Sequence, residues 1–193
     1  MTVKIFGLGM CKTGTSSLHR AFTELGLESK HYPRRPELFA GQFGWLDQYD
    51  AVTDTPIVPY YPQLDEAYPG SKFILTVRNV NDWLNSVDNW WAGAENPNEY
   101  QLRIRILVFG VHTFHAGRMR YVYEKHLADV REYFKDRPDD LLTMNICEGD
   151  GWEKLCPFLN KAVPDRPFPF VVPGSHRKKP KKKKVLGLFR VSR

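Results

Sequence analysis

The sequence predicts an α/β fold in which a mostly parallel sheet of the P-loop type is flanked by helices in three α/β/α layers. Short apolar runs of strand length alternate along the chain with longer segments of helical periodicity. One of these runs, residues 72–77, is almost continuously apolar, which is typical of a strand buried on both faces within a parallel sheet. A glycine-containing turn joins the first apolar run to the first helical segment. Strand, turn and helix in this order form the geometry that cradles a phosphate.

The first strand is predicted at residues 3–8, where the run is apolar and rich in β-branched residues. Residues 9–16 follow as a turn that contains two glycines and one lysine. A helix is then predicted up to Gly26, because apolar residues recur at helical spacing at Leu18, Ala21, Phe22 and Leu25.

The remaining elements continue the alternation. Further strands are predicted at residues 28–32, 49–56, 72–77 and 141–146, and helices at residues 60–68, 97–135 and 152–160. The long helical segment is expected in two pieces, broken near Gly110 or Gly117. Its apolar face is expected to pack on the body of the protein and comprises Ile104, Leu107, Val108, Val111 and Phe114.

The basic character of the chain belongs to its last residues. Residues 177–193 hold nine Lys and Arg and no acid, which gives this segment a charge of +9. The whole chain has a net charge of +6, so residues 1–176 carry −3. We therefore predict one domain at 1–176 and a basic, flexible tail at 177–193. The tail suits an anionic partner, either a lipid surface or a nucleic acid, or a nuclear-import signal.

Cysteine usage and hydropathy predict a cytoplasmic protein, with the tail as a possible signal for the nucleus or an anionic membrane surface. The three cysteines are odd in number and lack ligand-like spacing, which fits a reducing compartment and argues against a disulfide scaffold or a zinc site. No apolar run approaches the roughly 20 residues that span a bilayer. The N-terminal run is short and leads into a turn, unlike a secretory signal.

The turn after the first strand is predicted to bind a phosphate. The first N–H groups of a helix have no internal partner, Lys12 adds a positive charge, and Thr13, Thr15 and Ser16 add hydroxyls. The turn differs from a Walker A loop, because Cys11 precedes the lysine and the glycine follows it by two positions. The alternative is an ordinary βα turn whose hydroxyls cap the helix.

A second candidate phosphate contact follows the central apolar strand. Arg78 ends this strand, and Ser86 lies eight positions later, two turns into the next helix. In an open α/β sheet, ligands bind at the carboxyl ends of the strands, so both side chains are expected on one anion. The alternative is an arginine paired with Asp82 and a serine exposed on its helix.

Together these motifs resemble the sulfotransferase family, whose members use 3′-phosphoadenosine 5′-phosphosulfate (PAPS). The order K-[ST]-G-T-[ST] and the Arg–Ser spacing carry the likeness, which covers most of residues 3–172. The runs YPGSKFILTVRN, GDGWEKLCPFL and PDRPFPF resemble a subgroup of small sulfotransferase-domain proteins. The resemblance implies that Arg78 and Ser86 bind the 3′-phosphate, and that the 5′-phosphosulfate is bound by Cys11, Lys12, Thr13, Gly14, Thr15 and Ser16.

The sequence departs from that family at two points. Cytosolic members have a histidine base in a K-T-H-x-P context, where this chain has the run T-D-T-P at residues 53–56. Asp54 is therefore the candidate general base, with Lys12 as the residue that stabilises charge on the leaving phosphate. The alternative role for Asp54 is structural, as a turn cap or a partner of Lys12. The late R-K-G of the family has only residues 177–179 as its counterpart, so that role is not transferred.

The functional prediction is an enzyme that moves a sulfuryl group from PAPS to a hydroxyl or amine of a small-molecule or glycan acceptor. We expect no metal, and we interpret His112, His115 and His126 as structural or surface residues. A P-loop small-molecule kinase is one alternative, although the shifted lysine argues against it. A non-catalytic nucleotide-fold protein that acts through its basic tail is another.

Overall fold

A computed structural model describes residues 3–92 and 96–171 of the chain. Its five strands are β1 (Ile5–Gly7), β2 (Ser29–His31), β3 (Ala51–Thr53), β4 (Lys72–Thr76) and β5 (Leu141–Met144). Its six α-helices are α1 (Thr15–Glu24), α2 (Tyr61–Ala67), α3 (Val80–Ala92), α4 (Glu99–Phe109), α5 (Ala116–Tyr133) and α6 (Trp152–Phe158). Short 3-10 helices lie at Pro36–Ala40, Gly44–Gln48, Val58–Tyr60, Pro138–Asp140 and Ile146–Glu148.

The strands form one parallel sheet in the order β2-β3-β1-β4-β5. Ile5 pairs with Ala51 on one side and with Lys72 on the other, which makes β1 the central strand. All five carboxyl ends therefore meet at one edge of the sheet, where α/β proteins bind their ligands. The predicted α/β fold with a parallel sheet between helices is confirmed.

Strand residues alternate between two cores, one on each face of the sheet. Ile5 and Ile74 face α1 and α6, whereas Phe6 and Phe73 face α2 and α5. A third cluster joins α3, α4 and α5 to the loop after β1, and it includes Met10, Cys11, Trp83, Trp91 and Tyr123. This cluster builds a wall beside the carboxyl edge of the sheet and positions the residues described below.

The long helical segment breaks at Gly110, which adopts a left-handed φ of 71° at the end of α4. One part of its predicted apolar face is wrong. Ile104 is buried and Val108, Val111 and Phe114 pack against the third cluster, but Leu107 is 37% exposed. Val111 and Phe114 lie beyond the end of the helix. Because the break comes before residue 111, the helical periodicity did not extend across it. No helix in the described ranges is both long and apolar enough to cross a membrane. The tail at 177–193 lies outside the described residues.

Candidate active site

The loop between β1 and α1 is held by contacts to its backbone. The Cys11 N–H donates to Thr55 Oγ1 at 2.8 Å, and the Cys11 carbonyl accepts from Trp83 Nε1 at 2.9 Å. Lys12 then adopts a left-handed φ of 71° and Gly14 a φ of 100°. A side chain from the loop after β3 and one from helix α3 thus fix the path of the predicted phosphate loop.

Thr13 is used inside this loop. Its side chain is fully buried, its hydroxyl donates to the Met10 carbonyl at 2.7 Å, and it lies 2.6 Å from Thr76 Oγ1. A Cβ at Gly9 would collide with the same Thr76 hydroxyl, so the loop can pack this closely against β4 only with glycine there. The Thr13 hydroxyl is therefore turned away from solvent and holds the loop against β4.

Helix α1 begins at Thr15 with Gly14 as its cap, and no side chain bonds to its first N–H groups. Glycine is needed at position 14 for its left-handed backbone and because a Cβ would lie 2.9 Å from Cβ of Ile146. Thr15 is buried, whereas Ser16 is partly exposed. An uncapped helix start with positive dipole and a nearby lysine suits an anion.

Asp54 follows β3 directly and is 6% exposed. Its Oδ1 accepts from the Thr55 N–H at 2.7 Å and from the Thr55 hydroxyl at 3.0 Å. Because the same hydroxyl accepts from the Cys11 N–H, Thr55 connects Asp54 to the phosphate loop. The two residues that sequence reasoning assigned to catalysis, Lys12 and Asp54, therefore lie on loops joined by one hydroxyl.

His31 completes this cluster, and sequence reasoning missed it. Its Nε2 lies 3.3 Å from Asp54 Oδ2 and 3.1 Å from Ser16 Oγ, while its Nδ1 lies 3.0 Å from Thr53 Oγ1. His31 ends β2 and pairs in register with Thr53. The signal in the sequence was its position at the end of a predicted strand, because carboxyl ends of parallel strands meet at one edge.

Arg78 reaches the same loop from the end of β4. Its Nη1 donates to the Lys12 carbonyl at 3.2 Å, and its backbone is fixed by the Tyr123 hydroxyl, which accepts from its N–H and donates to its carbonyl. Ser86 lies on α3 one turn after Trp83, whose indole touches the loop, so Ser86 is on or next to the helix face that looks toward the loop. The fold thus brings Arg78 to the predicted phosphate loop, as the two sequence motifs predicted.

Backbone strain is concentrated around this site. Four non-glycine residues in the described ranges have a positive φ: Lys12 (71°), Tyr32 (46°), Asp54 (89°) and Asn160 (51°). The first three surround the edge formed by β1, β2 and β3. Such conformations cost about 1–3 kcal/mol each and persist where the surrounding structure over-determines them, which is common at functional sites.

Burial also sets the protonation of two neighbours of Asp54. It raises the pKa of the Cys11 thiol to about 12, with the Asp54 carboxylate adding to the effect. It raises the pKa of Tyr32 to about 12, again with help from Asp54. Both groups therefore keep their protons at neutral pH, and Cys11 is an inert, buried thiol whose N–H and carbonyl are already bonded within the protein.

A cavity of about 470 Å³ lies between α2 and α5. Its wall includes Met10, Val58 and His126 but neither Lys12 nor Asp54. His126 is buried, and its Nε2 lies 2.8 Å from the Leu8 carbonyl, as expected for a structural histidine. Within residues 3–92 and 96–171, no three His, Cys, Asp or Glu side chains are arranged to hold a metal ion. Metal-independent transfer stays a prediction.

Comparison with known proteins identifies the family. A family model described as a sulfotransferase domain matches residues 4–176. The chain belongs to this sulfotransferase family. It is also 29% identical over 217 residues to the Ava biosynthesis cluster protein M of Aspergillus versicolor, covering 88% of this chain and 80% of that protein. In fold, it is similar to a sulfotransferase from Alicyclobacillus acidocaldarius, with a TM-score of 0.58, 16% identity, and coverage of 93% of this chain and 87% of that one.

Membership identifies the general activity as sulfuryl transfer by an enzyme, with an α/β fold. PAPS use and a P-loop are typical of the family. The roles of the individual residues described above stay predictions. The geometry shows which of them lie together: Lys12, Gly14, Ser16, Asp54 and Arg78 lie around one loop.

Proposed function

We propose that this enzyme transfers a sulfuryl group from PAPS to a hydroxyl or amine of an acceptor molecule, with Asp54 as the general base. The observation that carries the proposal is the convergence of three strand ends on one loop. Lys12 lies on that loop, Arg78 donates to its backbone, and Asp54 is joined to it through Thr55. A cation, an anion-binding helix start and a base thus share one edge of the sheet.

The donor is proposed to lie across the loop from β1 toward β4. The uncapped start of α1 and Lys12 suit the 5′-phosphosulfate, because backbone N–H groups and a positive charge favour an anion there. Arg78 and Ser86 suit the 3′-phosphate, since a guanidinium offers a fixed fork of donors and a hydroxyl adds one more. Thr13 and Cys11 support this arrangement from inside the loop.

The proposed reaction is an in-line displacement at sulfur. Asp54 accepts the proton of the acceptor hydroxyl or amine as the new bond to sulfur forms. The bond from sulfur to the bridging oxygen of the 5′-phosphate breaks, and Lys12 stabilises the charge that develops on that oxygen. The products are a sulfated acceptor, adenosine 3′,5′-bisphosphate and a proton, so atoms and charge balance.

His31 is proposed to position the base. Its Nε2 is within reach of Asp54 Oδ2, while Oδ1 is occupied by two donors from Thr55. The carboxylate is therefore held in one orientation, with Oδ2 as the oxygen that faces His31, whose Nε2 also lies 3.1 Å from the Ser16 hydroxyl. A fixed, nearly buried carboxylate is better placed to accept a proton than a mobile one.

The first experiment is calorimetric titration of the full chain with adenosine 3′,5′-bisphosphate, ADP and AMP. We expect a strong preference for the 3′-phosphorylated nucleotide. Arg78→Ala is expected to weaken its binding about tenfold to a hundredfold, because a charge-assisted hydrogen bond contributes roughly 1.5–3 kcal/mol.

Arg131→Ala is the matched control, since Arg131 is an exposed arginine on the last turn of α5. If the wild type bound ADP as tightly as adenosine 3′,5′-bisphosphate, PAPS use would be contradicted and a small-molecule kinase would become the favoured function. Unchanged binding in Arg78→Ala would remove Arg78 from the donor site.

A further inference from the structure

The position of the acceptor follows from the proposed donor. In an in-line displacement the acceptor and the leaving group lie on opposite sides of sulfur. The proposed donor extends from the loop after β1 toward Arg78 at the end of β4. In the sheet, β3 and β2 lie on the other side of β1. The acceptor must therefore approach from the ends of β2 and β3, where Asp54 stands.

An aromatic wall covers this approach. Tyr32, directly after β2, packs edge-on against Tyr100 of α4 with ring centroids 6.5 Å apart. The Tyr100 hydroxyl donates to the Pro33 carbonyl at 2.7 Å and accepts from the Arg35 N–H at 3.2 Å. Helix α4 is thereby fixed to the segment that follows β2, and its residues can serve the acceptor side of the site.

Arg105, five residues after Tyr100 on α4, is a buried charge with no acidic partner among the described residues. It is 8% exposed, its Nη1 donates to the His112 carbonyl at 2.9 Å, and its guanidinium lies 4.2 Å from the ring centroid of Trp91. Within the part of the chain that the structure describes, no carboxylate forms an ion pair with it. An arginine has five donors, and burying its charge is costly unless an anion compensates it.

Trp91 presents a second unused donor at the same place. It is 5% exposed, and its indole N–H is buried with no hydrogen-bond partner in residues 3–92 and 96–171. Most buried polar groups in proteins are paired, so an orphaned donor needs an explanation. Here the guanidinium, whose one donor to the His112 carbonyl leaves its charge without a carboxylate, lies beside an indole N–H that lacks an acceptor. An anionic group would satisfy both.

Packing places this pair close to the predicted phosphate loop, because Trp91 belongs to the same buried cluster as Met10 and Cys11. Burial lowers the pKa of Arg105, while Tyr32 and Cys11 raise it. Arg105 in turn lowers the pKa of Cys11, against the effects of burial and of Asp54. Arginine keeps its charge in proteins. Its positive field therefore reaches the residues that flank Lys12 and Asp54.

We propose that Arg105 and Trp91 bind an anionic group of the acceptor, a carboxylate being the simplest case, and so hold its hydroxyl or amine at Asp54. This subsite rests on the proposed function, because it is placed by the direction of transfer. Arg105 is then a positioning and specificity residue. It selects acceptors that carry a negative charge in addition to the nucleophilic hydroxyl or amine, and the rest of such an acceptor would pack against Tyr32. Neutral acceptors would leave the guanidinium charge uncompensated and the indole N–H without an acceptor.

The test uses the full chain labelled with ¹⁵N and saturated with adenosine 3′,5′-bisphosphate. Benzoate and its neutral isostere benzamide are titrated in turn, and the indole N–H signal of Trp91 is followed. We expect a saturable shift with benzoate and at least tenfold weaker binding of benzamide. Arg105→Gln should abolish the benzoate response. Arg103→Gln should keep it, because Arg103 is exposed on the same helix and stacks on Phe39 instead.

Equal responses to benzoate and benzamide would overturn the proposal, as would no response to benzoate or a response that survives Arg105→Gln. If Arg105→Gln does not fold, the comparison of the two probes on the wild type decides, and Arg105→Lys, which retains the charge, should keep part of the benzoate response. Failure to bind adenosine 3′,5′-bisphosphate contradicts the proposed function separately, since the benzoate titration is read on its own signal.

Discussion

The ends of β3 and β5 offer a comparison between two aspartates at the same edge of one sheet. Asp54 has a left-handed φ of 89° and is nearly buried, and its oxygens face Thr55 and His31. Asp150, in the turn before α6, has no such strain among the described residues. It accepts from the Asn145 N–H at 2.6 Å and from Lys154 Nζ at 2.8 Å.

The environment of Asp150 is that of a structural carboxylate. Burial by itself would raise its pKa, but the hydrogen bonds from Lys154 and Asn145 lower it. The turn is closed by Trp152, whose Nε1 donates to the Arg166 carbonyl at 2.9 Å. The Trp152 ring also packs against the Phe168 ring, with their centroids 4.8 Å apart. The runs GDGWEKLCPFL and PDRPFPF therefore meet each other and hold α6 in place.

The difference shows how to separate family-like motifs that form the candidate site from those that stabilise the fold. Both regions carry recognisable runs, but only the end of β3 combines backbone strain, a buried carboxylate and a hydrogen-bond link to the phosphate loop. At the end of β5 every polar group named above is used to cap or close the fold. Backbone strain and a hydrogen-bond link to the predicted phosphate loop, more than resemblance, single out the end of β3 as the candidate site.

The largest expected effect separates the two aspartates by turnover. Asp54→Asn should lower the rate of sulfuryl transfer on the order of 10²–10⁴-fold, because an amide accepts no proton at neutral pH. Binding of adenosine 3′,5′-bisphosphate should remain, since Asp54 faces the acceptor side. Both are measured on the full chain, by transfer of ³⁵S from PAPS and by calorimetry.

Asp150→Asn is the matched control. It loses the charge opposite Lys154 and should cost about 1 kcal/mol of folding free energy while leaving the transfer rate unchanged. Equal losses of turnover in the two variants would show that Asp54 is a structural carboxylate like Asp150.

A smaller effect is expected from two glycines with similar backbones. Gly14 and Gly149 have φ values of 100° and 108°, so alanine at either position is strained by about 1–2 kcal/mol. At Gly14 the new Cβ also meets Ile146, whereas nothing lies within 4 Å at Gly149. Gly14→Ala should therefore destabilise more in urea and weaken binding of adenosine 3′,5′-bisphosphate, while Gly149→Ala should affect stability alone. The same loss of nucleotide affinity in both variants would contradict the special role of Gly14.

The smallest expected effect is on the pH dependence of stability, through His126, which bonds to the chain directly after β1. Burial lowers the pKa of His126 below 6.5, although its bond to the Leu8 carbonyl opposes the shift. Below pH 6.5 the unfolded chain binds a proton at this histidine before the folded chain does, so the free energy of unfolding falls as pH falls. The slope from one such group is at most about 1.4 kcal/mol per pH unit.

His126→Gln should flatten the dependence of the urea midpoint on pH between 5 and 7. The control is His115→Gln, because His115 is exposed and its side chain makes no capping bond at α5. If His126→Gln leaves the slope of the wild type unchanged, His126 does not contribute to it.

Much of the fold was readable from the sequence. Apolar runs and their periods predicted all five strands and five of the six helices, whereas α3 was expected only as the helix that follows Arg78. The break of the long helical segment was expected near Gly110 or Gly117 and occurs at Gly110. Hydrophobic periodicity and turn residues are local properties, so neighbouring residues suffice to reveal them. The periodicity failed at Leu107, since the exposure of a helix face depends on what packs against it.

The sequence by itself determined the family, and it singled out the predicted phosphate loop, Asp54 and Arg78 as candidates, because each lies in a short run whose residue types reflect its chemistry. Only the tertiary structure decided which strand ends become neighbours. The order β2-β3-β1-β4-β5 brings His31 to Asp54 across 23 residues of chain, and the packing of α4 brings Arg105 to the same side. Contacts between residues so distant in sequence depend on how the sheet is crossed and covered, and no local pattern of residues contains that information.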